Sequence, residues 1–299
     1  MSKSNSGDNS KTLIVTADDF GLSVPVNEAV ERAHLSGILT AASLMVSGHA
    51  FEDAVMRARR LPSLGVGLHI VLVDGRPVLP PEQLPDLVGA DGRFLTQPVR
   101  TGLKLLWQHR LQVQVEAEIR AQLQRFKTTG LNLDHVDGHH HFHQHPFIID
   151  LLIRLAPEFG IKAVRVPIES PLHSWRAQRE GWMRRFGGWF WSVARLRSMQ
   201  EKLRRAGVAC NDQIFGLFDS GRMNAQRMDG FLAHLPAGIT ELYCHPATRR
   251  WAVDCLPESY QCDQEFSAIA DPERRQRVTR QGIRLVPFAA LAQPIEGAL

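Results

Sequence analysis

The chain has 299 residues, of which 44% are hydrophobic and 22% are charged, and its formal net charge is +4. These proportions are ordinary for a globular protein and exclude a chain dominated by disorder. No uncharged run approaches the roughly 18 residues of a membrane-spanning helix, and the N-terminal stretch is not that of a secretory signal, so we expect a cytoplasmic protein. The four cysteines lack a paired C-x-x-C spacing, which argues against a zinc finger.

Short apolar runs alternate with helix-like periodic segments along most of the chain. This alternation predicts an α/β fold of repeated βα units, with a TIM-like (β/α) barrel, regular or irregular, as the simplest closure. We expect a disordered tail at residues 1–11 and a single domain at 12–299, because barrels of roughly 250 residues commonly form one domain. Two long loop or helical insertions are expected at about 74–106 and 171–207.

The predicted elements follow in chain order. The strands are Thr12–Ala17, Ala41–Val46, Val66–Leu72, Leu133–Asp137, Ala163–Pro167, Gln213–Phe218, Thr240–Cys244 and Arg284–Val286. The helices are Val24–Ser36, Ala50–Arg60, Leu111–Phe126, Pro146–Phe159, Asn224–Leu235 and Asp263–Arg280. In a parallel barrel the carboxyl ends of the strands carry the functional site, so polar residues at those ends are the candidates.

The first apolar run ends in two adjacent carboxylates, Asp18 and Asp19. Burying both is costly unless a cation meets them, and a metal ion would do so. The alternative is that they form a polar turn or cap the helix that begins near Val24. His69 ends another apolar run, where a lone histidine is also typical of a hydrogen-bonded core residue.

Residues 135–145 read HVDGHHHFHQH, the most chemically specific stretch of the chain. On an extended strand His135, Asp137 and His139 would share one face, joined by His141 if the strand continues. Asp137 is then the carboxylate that would orient a metal-binding imidazole, with His135 beside it. The alternative is an adventitious metal-buffering tract. An Asp and two His from separate strand ends make an open three-ligand site with a position for water.

The segment from Trp175 to Arg205 interleaves aromatic and basic residues, with only two acidic residues among them. Trp182, Trp189, Phe190 and Trp191 are predicted to contact lipid while the arginines meet an anionic membrane surface. The alternative is a helical insertion packed on its own domain.

Two further residues lie at predicted strand ends. Arg165 is suited to hold a substrate oxygen or to pair with a catalytic carboxylate. His245, before Pro246, is suited to proton transfer near neutral pH, unless it is simply a hydrogen-bonded turn residue.

These motifs resemble those of the YdjC-like carbohydrate deacetylases, through the segments Ala17–Gly21, Gly67–His69 and His135–His143. The resemblance extends from about Leu13 to Phe288. Within the family the chain is most similar to the hopanoid-biosynthesis-associated HpnK branch, on segments such as Gly67–Pro77.

The resemblance implies a divalent metal held by Asp19, His69 and His139, with Asp18 as the neighbouring base. It also implies removal of an N-acetyl group from a sugar; for the narrower branch the substrate is an N-acetylglucosaminyl hopanoid lipid. Two His and one Asp suit zinc, although Mg, Mn, Co or Ni fit the same ligand types.

We predict that His245 donates a proton to the departing amine and that Arg165, His141 and His143 contact substrate. The expected partners are the N-acetylglucosaminyl lipid and the inner face of an anionic membrane, and we expect no nucleic-acid partner. Three alternatives stay open at this point. They are a deacetylase of soluble chito-oligosaccharides, a metal-free glycoside hydrolase using Asp18 with another carboxylate, and a basic lipid- or nucleic-acid-binding protein without activity.

Overall fold

A curved parallel sheet of seven strands forms the centre of the protein. The computed structural model describes residues 10–250 and 257–291. The strands are β1 (Lys11–Phe20), β2 (Ala41–Leu44), β3 (Gly65–Ile70), β4 (Val136–Gly138), β5 (Gln213–Phe215), β6 (Gly238–Cys244) and β7 (Ile283–Leu285). Their order is β4-β3-β2-β1-β6-β5, and β7 pairs with β1. All of the pairings between these strands are parallel.

Ten α-helices in the described ranges connect and cover these strands. They are α1 (Val24–Ser36), α2 (Phe51–Arg59), α3 (Pro98–Leu105), α4 (His109–Thr128), α5 (Pro146–Phe159), α6 (Pro171–Gln178), α7 (Trp182–Arg205), α8 (Ala225–Ala233), α9 (Cys262–Ile269) and α10 (Pro272–Arg280). Their apolar faces pack on a core that includes nearly all of β1 and β3. Strands buried on both faces explain why these runs are continuously apolar rather than alternating.

The predicted barrel is confirmed as an α/β fold with a curved parallel sheet, but the barrel is open. The predicted strand Ala163–Pro167 is absent as a strand, and its residues make only isolated bridges, between Val164 and Val136 and between Ala163 and Ala209. Pro167 contributes to this outcome because it has no N–H to donate to a ladder. The sheet therefore has a gap between β4 and β5.

Two other predicted boundaries are wrong. The helix expected at Asp263–Arg280 is two helices, because Pro272 disfavours helical geometry at Asp271, which instead caps α10 by accepting a hydrogen bond from the Glu273 N–H at 2.9 Å. Lys11, which the prediction included in the disordered tail at 1–11, belongs to β1. Residues 1–9 of that tail and residues 292–299 of the predicted domain lie outside the described residues.

The second insertion is mostly helical, whereas most of the first is not. The first contains α3 and a short 3₁₀ helix at Pro81–Gln83, and the second consists of α6 and α7. None of the helices in the described ranges is both long enough and apolar enough to cross a bilayer.

Candidate metal centre and active site

The end of β1 carries the two carboxylates and is irregular. The register between β1 and β2 shifts between Ala17 and Phe20, and Asp19 has a left-handed φ of 62°. Such irregularities re-aim side chains at the end of a strand. As a result the two adjacent carboxylates diverge: Asp18 meets Arg165, whereas Asp19 meets two histidines.

Asp19, His69 and His139 form a buried cluster whose candidate ligand atoms all lie within 4.8 Å of one another. Asp19 Oδ1 is 3.4 Å from His69 Nε2 and 3.2 Å from His139 Nδ1. Both Asp19 oxygens and His139 Nε2 are buried without a hydrogen-bond partner among the described residues. Buried polar atoms are nearly always hydrogen-bonded, so this unsatisfied set of donor atoms fits a bound cation.

A carboxylate on the neighbouring strand orients His69. The register of β3 and β4 sets His69 beside Asp137, and His69 Nδ1 lies 2.8 Å from Asp137 Oδ1. This contact leaves Nε2 facing Asp19, the arrangement by which a carboxylate fixes a ligand imidazole. Burial opposes protonation of His69, but Asp137, with Asp18 and Asp19 nearby, raises its pKa to about 9.

Asp137 is linked in turn to the next strand. Ser43, on β2, donates to Asp137 Oδ2 at 2.8 Å, and the same hydroxyl lies 3.1 Å from His135 Nε2. The His135 ring stacks on Phe288. His135 is therefore not beside Asp19, and it reaches the cluster only through Ser43 and Asp137.

Arg165 forms ion pairs with three carboxylates. Its guanidinium donates to both oxygens of Asp18 at 2.8 Å, and it lies 2.6 Å from Asp137 and 2.7 Å from Glu241. Arg165 is fully buried. Burial alone would lower its pKa, but the surrounding carboxylates, Asp137 foremost, raise the pKa well above its usual value.

A cavity of about 210 Å³ opens beside this cluster. Its lining residues are Asp18, His69, Gly138, His139, His140, His141, Leu217, Ser220, Tyr243, His245, Pro257 and Tyr260. The cavity combines acidic, imidazole and phenol groups, which suits acid–base chemistry on a polar ligand.

The histidine run departs from the predicted alternation. The strand ends at Gly138, and residues 139–144 form a 3₁₀ segment in which His140 and His141 are left-handed, with φ of 53°. His141 still reaches the cavity, where its Nε2 lies 3.1 Å from the Tyr243 hydroxyl.

Two predicted substrate contacts do not line the cavity. His143 is fully buried, and its Nε2 lies 3.0 Å from the carbonyl of Arg165. Arg165 is itself enclosed by its carboxylates. Of the two roles that the sequence allowed Arg165, the geometry matches the pairing with a carboxylate rather than contact with substrate.

His245 also lines the cavity and directly follows β6, whose last residue, Cys244, pairs with Ala17 of β1. Its backbone N–H donates to Glu265 at 2.6 Å, and its Nδ1 has no hydrogen-bond partner among the described residues. The rings of Tyr243 and Tyr260 flank it, with centroids 5.7 and 5.1 Å away. The sequence interpretation missed Glu241 and Tyr243, although both alternate with His245 along β6 with the period of two that sends side chains to one face.

The predicted lipid-contact residues lie on α7. Trp182, Phe190 and Trp191 are 59%, 72% and 86% exposed, whereas Trp189 is half-buried.

Fold and site together define a class: an open α/β barrel with a buried Asp-His-His cluster, suited to a metal ion, at the carboxyl ends of parallel strands. Residues 12–280 match the family described as YdjC-like protein, so the chain belongs to that family. This finding confirms the family predicted from the three motifs.

Curated relatives cover nearly the whole chain. A protein of Brevibacillus brevis named carbohydrate deacetylase is 35% identical over 93% of this chain and 99% of its own length. Proteins of the same name from Geobacillus stearothermophilus and Mus musculus are 30% and 33% identical, and the aligned regions cover 92% and 91% of this chain and 96% and 92% of those relatives.

Among solved structures, an Enterococcus faecalis protein described as a candidate cellobiose-phosphate cleavage protein is similar in fold. Its TM-score is 0.70 at 22% identity, covering 95% of this chain and all of that one. At that identity the likeness establishes the fold alone.

Proposed function

We propose that this chain is a metal-dependent N-deacetylase that removes acetate from an N-acetylglucosamine group. One observation carries the proposal: Asp19, His69 and His139 converge, and Asp19 and His139 keep buried polar atoms that no described residue satisfies. The relatives named carbohydrate deacetylases support the reaction class.

The three cluster residues would hold one divalent ion, for which zinc suits two imidazoles and a carboxylate; Mg, Mn, Co and Ni accept the same donor types. When bound, such an ion lowers the pKa of a coordinated water towards about 7 and polarises the acetamide carbonyl. Asp137 keeps His69 in the orientation and tautomer that ligation requires.

Asp18 is the general base in this proposal. It lines the cavity, and Arg165 fixes both of its oxygens, which still leaves lone pairs free to accept a proton from the attacking water. Arg165 acts here as a positioning residue, because it is saturated by carboxylates and has no face towards the cavity. His143 belongs to the same support, since its ring contacts the Arg165 carbonyl.

His245 is the general acid. As the carbon–nitrogen bond breaks, it delivers a proton to the sugar amine, because an unprotonated amine is a poor leaving group. Its Nδ1, which has no hydrogen-bond partner among the described residues, and its place in the cavity lining support this role. His141, held by the Tyr243 hydroxyl, contacts the sugar or its acetyl group.

The substrate we propose is an N-acetylglucosaminyl lipid, in particular an N-acetylglucosaminyl hopanoid that becomes the glucosaminyl form. The cavity of about 210 Å³ is smaller than the roughly 300–1,000 Å³ of sites that enclose drug-sized ligands, so it suits one sugar head group. Trp182, Phe190 and Trp191 are exposed apolar groups next to arginines, which suits contact with the apolar part of the lipid and peripheral attachment to an anionic membrane.

The test follows acetate release and product mass with metal-loaded protein. One reaction contains an N-acetylglucosaminyl lipid and a parallel one contains soluble acetylated chito-oligosaccharides. Loss of one acetyl group, abolished by a chelator and restored by zinc, is expected on the lipid. Preference for the soluble substrate would overturn the lipid proposal, and a released reducing sugar without acetate, insensitive to the chelator, would overturn the deacetylase proposal.

A further inference from the structure

Exposed apolar residues occur on a second helix that the sequence interpretation did not single out. On α3 and just after it, Val99, Leu103, Leu106 and Trp107 are exposed, with Val99 76% and Trp107 65% accessible. Thr101 and Leu105, on the other side of the same helix, are buried. We call these four exposed residues the α3 face.

The first half of α7 exposes a larger set, which we call the α7 face. Its members are Trp182, Met183, Phe186, Phe190 and Trp191. Exposed apolar residues gathered in this way commonly mark an interaction site, whereas single ones need no explanation.

Both helices contact the same loop at the cavity. On one side His145 Nε2 lies 3.1 Å from the carbonyl of Gly102, in the middle of α3. On the other side Arg195 of α7 donates to the carbonyl of Gln144 at 3.3 Å. The preceding residues of this loop, His139 to His141, line the cavity. The two helices therefore flank one wall of the site.

α7 also contacts a second segment of the cavity lining, around Phe218. Arg184 donates to the carbonyl of Phe218 at 2.6 Å, and a Cβ on Gly188 would lie 3.1 Å from the Phe218 ring. The neighbours of Phe218, Leu217 and Ser220, line the cavity. α7 therefore contacts two segments that line the cavity, and α3 contacts one of them.

The charged residues around the two faces indicate which kind of partner would bind there. Residues 98–112 contain Arg100 and Lys104, besides Arg110, which pairs with Asp86. Residues 182–200 contain Arg184, Arg195 and Arg197, besides the buried Arg185, and neither stretch contains an Asp or Glu. Aromatic and aliphatic residues mixed with cations and free of carboxylates are complementary to a bilayer with anionic head groups.

We propose that the α3 face and the α7 face form one two-part docking surface for an anionic lipid bilayer, which brings the mouth of the cavity to the membrane. This inference extends the lipid-linked substrate proposed above. Vesicle binding does not require deacetylation. The docking surface and the proposed lipid substrate can therefore be disproved independently.

The test is co-sedimentation of the full chain with phosphatidylglycerol-containing vesicles and with pure phosphatidylcholine vesicles. The triple variant Val99→Ser, Leu103→Ser, Trp107→Ser should bind anionic vesicles at least about tenfold more weakly, because buried apolar area drives insertion. Arg100→Ser with Lys104→Ser should cost about fivefold per residue, and this loss should shrink as salt is raised.

The matched control is Leu35→Ser with Met56→Ser, which removes two residues that are 64% and 55% exposed on α1 and α2. This variant should bind like the wild type, and all variants should keep the wild-type unfolding midpoint. Wild-type binding by the α3 triple variant would overturn the inference. So would equal binding to neutral vesicles, or a self-association in sedimentation velocity that the same substitutions abolish, since the faces would then meet a second copy.

Discussion

Two fully buried arginines hold very different parts of this protein. Arg165 lies among strands, and its partners Asp18, Asp137 and Glu241 belong to β1, β4 and β6. Arg185, on α7, lies 2.8 Å from Asp219 and 3.2 Å from Glu169. Both side chains are inaccessible to solvent.

The difference lies in what surrounds each arginine. The partners of Arg165 are themselves packed in the core, so its charge serves to orient groups that are already held. Between residues 182 and 195 of α7, by contrast, Arg185 alone is buried. The same interaction therefore positions a proposed base in one region and attaches an exposed helix in the other.

Replacing Arg165 tests the first half of this comparison and should have the largest effect. Arg165→Met leaves three buried carboxylates without their cation, so we expect the free energy of unfolding to fall by about 3–5 kcal/mol in urea titrations. Glu241→Gln, which keeps the shape of one partner, should cost less. An unchanged urea midpoint for Arg165→Met would contradict the role assigned to this charge.

Two partners of Arg165 should differ from each other in function. Asp18→Asn should lower the deacetylation rate by about 10²–10⁴-fold, since it removes the proposed base, while zinc affinity stays near that of the wild type. Asp137→Asn should instead weaken zinc binding by about 10–100-fold, because it removes the partner of His69 Nδ1. Calorimetry with zinc and acetate release separate the two, and identical profiles would exclude distinct roles.

The sequence indicated where the buried Asp-His-His cluster would lie, because its candidate residues follow separate apolar runs and parallel strands bring such ends together. The choice of Asp19, His69 and His139 as one ligand set came from the resemblance to the family. The orientation of each side chain required more. The sequence does not indicate the register shift that directs Asp18 and Asp19 to different partners, or the left-handed turn at His141. Both depend on how neighbouring strands pair.

The two insertions were harder to predict from the sequence than the strands of the sheet. Both were predicted only as loop or helical segments, so the sequence did not predict α3 or its exposed face. The segment 163–167 also has an apolar pattern that fits a strand, but Pro167 has no N–H to donate and the segment makes only isolated bridges.

Replacing Arg185 tests the second half of the comparison. Arg185→Met should lower the free energy of unfolding by only about 2–3 kcal/mol, because Asp219 keeps Arg227 and Glu169 keeps the Leu217 N–H. The loss should be local. Hydrogen exchange should accelerate in residues 182–193 but not in 196–203, whereas Arg197→Met, at an exposed site, should change neither. Uniform acceleration across α7 would show that Arg185 is not a local anchor.

The smallest expected effect concerns the pH dependence of the Arg185 cluster. Burial, and then the neighbouring Asp219, raises the pKa of Glu169 from 4.5 to about 7. The folded protein therefore binds this proton more tightly than the unfolded chain. The contribution of Glu169 to stability is most favourable below about pH 4.5 and is lost as the pH rises through about 7.

Glu169→Gln removes that titration. The difference in unfolding free energy between wild type and variant should change by about 1–2 kcal/mol between pH 5 and pH 7.5. The wild type should become less stable relative to the variant as the pH rises. Glu180→Gln, on an exposed carboxylate paired with Arg227, should show no such shift over the same range. A wild type that gains stability relative to Glu169→Gln with rising pH would mean that Arg185 holds Glu169 ionised, and the two arginine clusters would then be electrostatically alike.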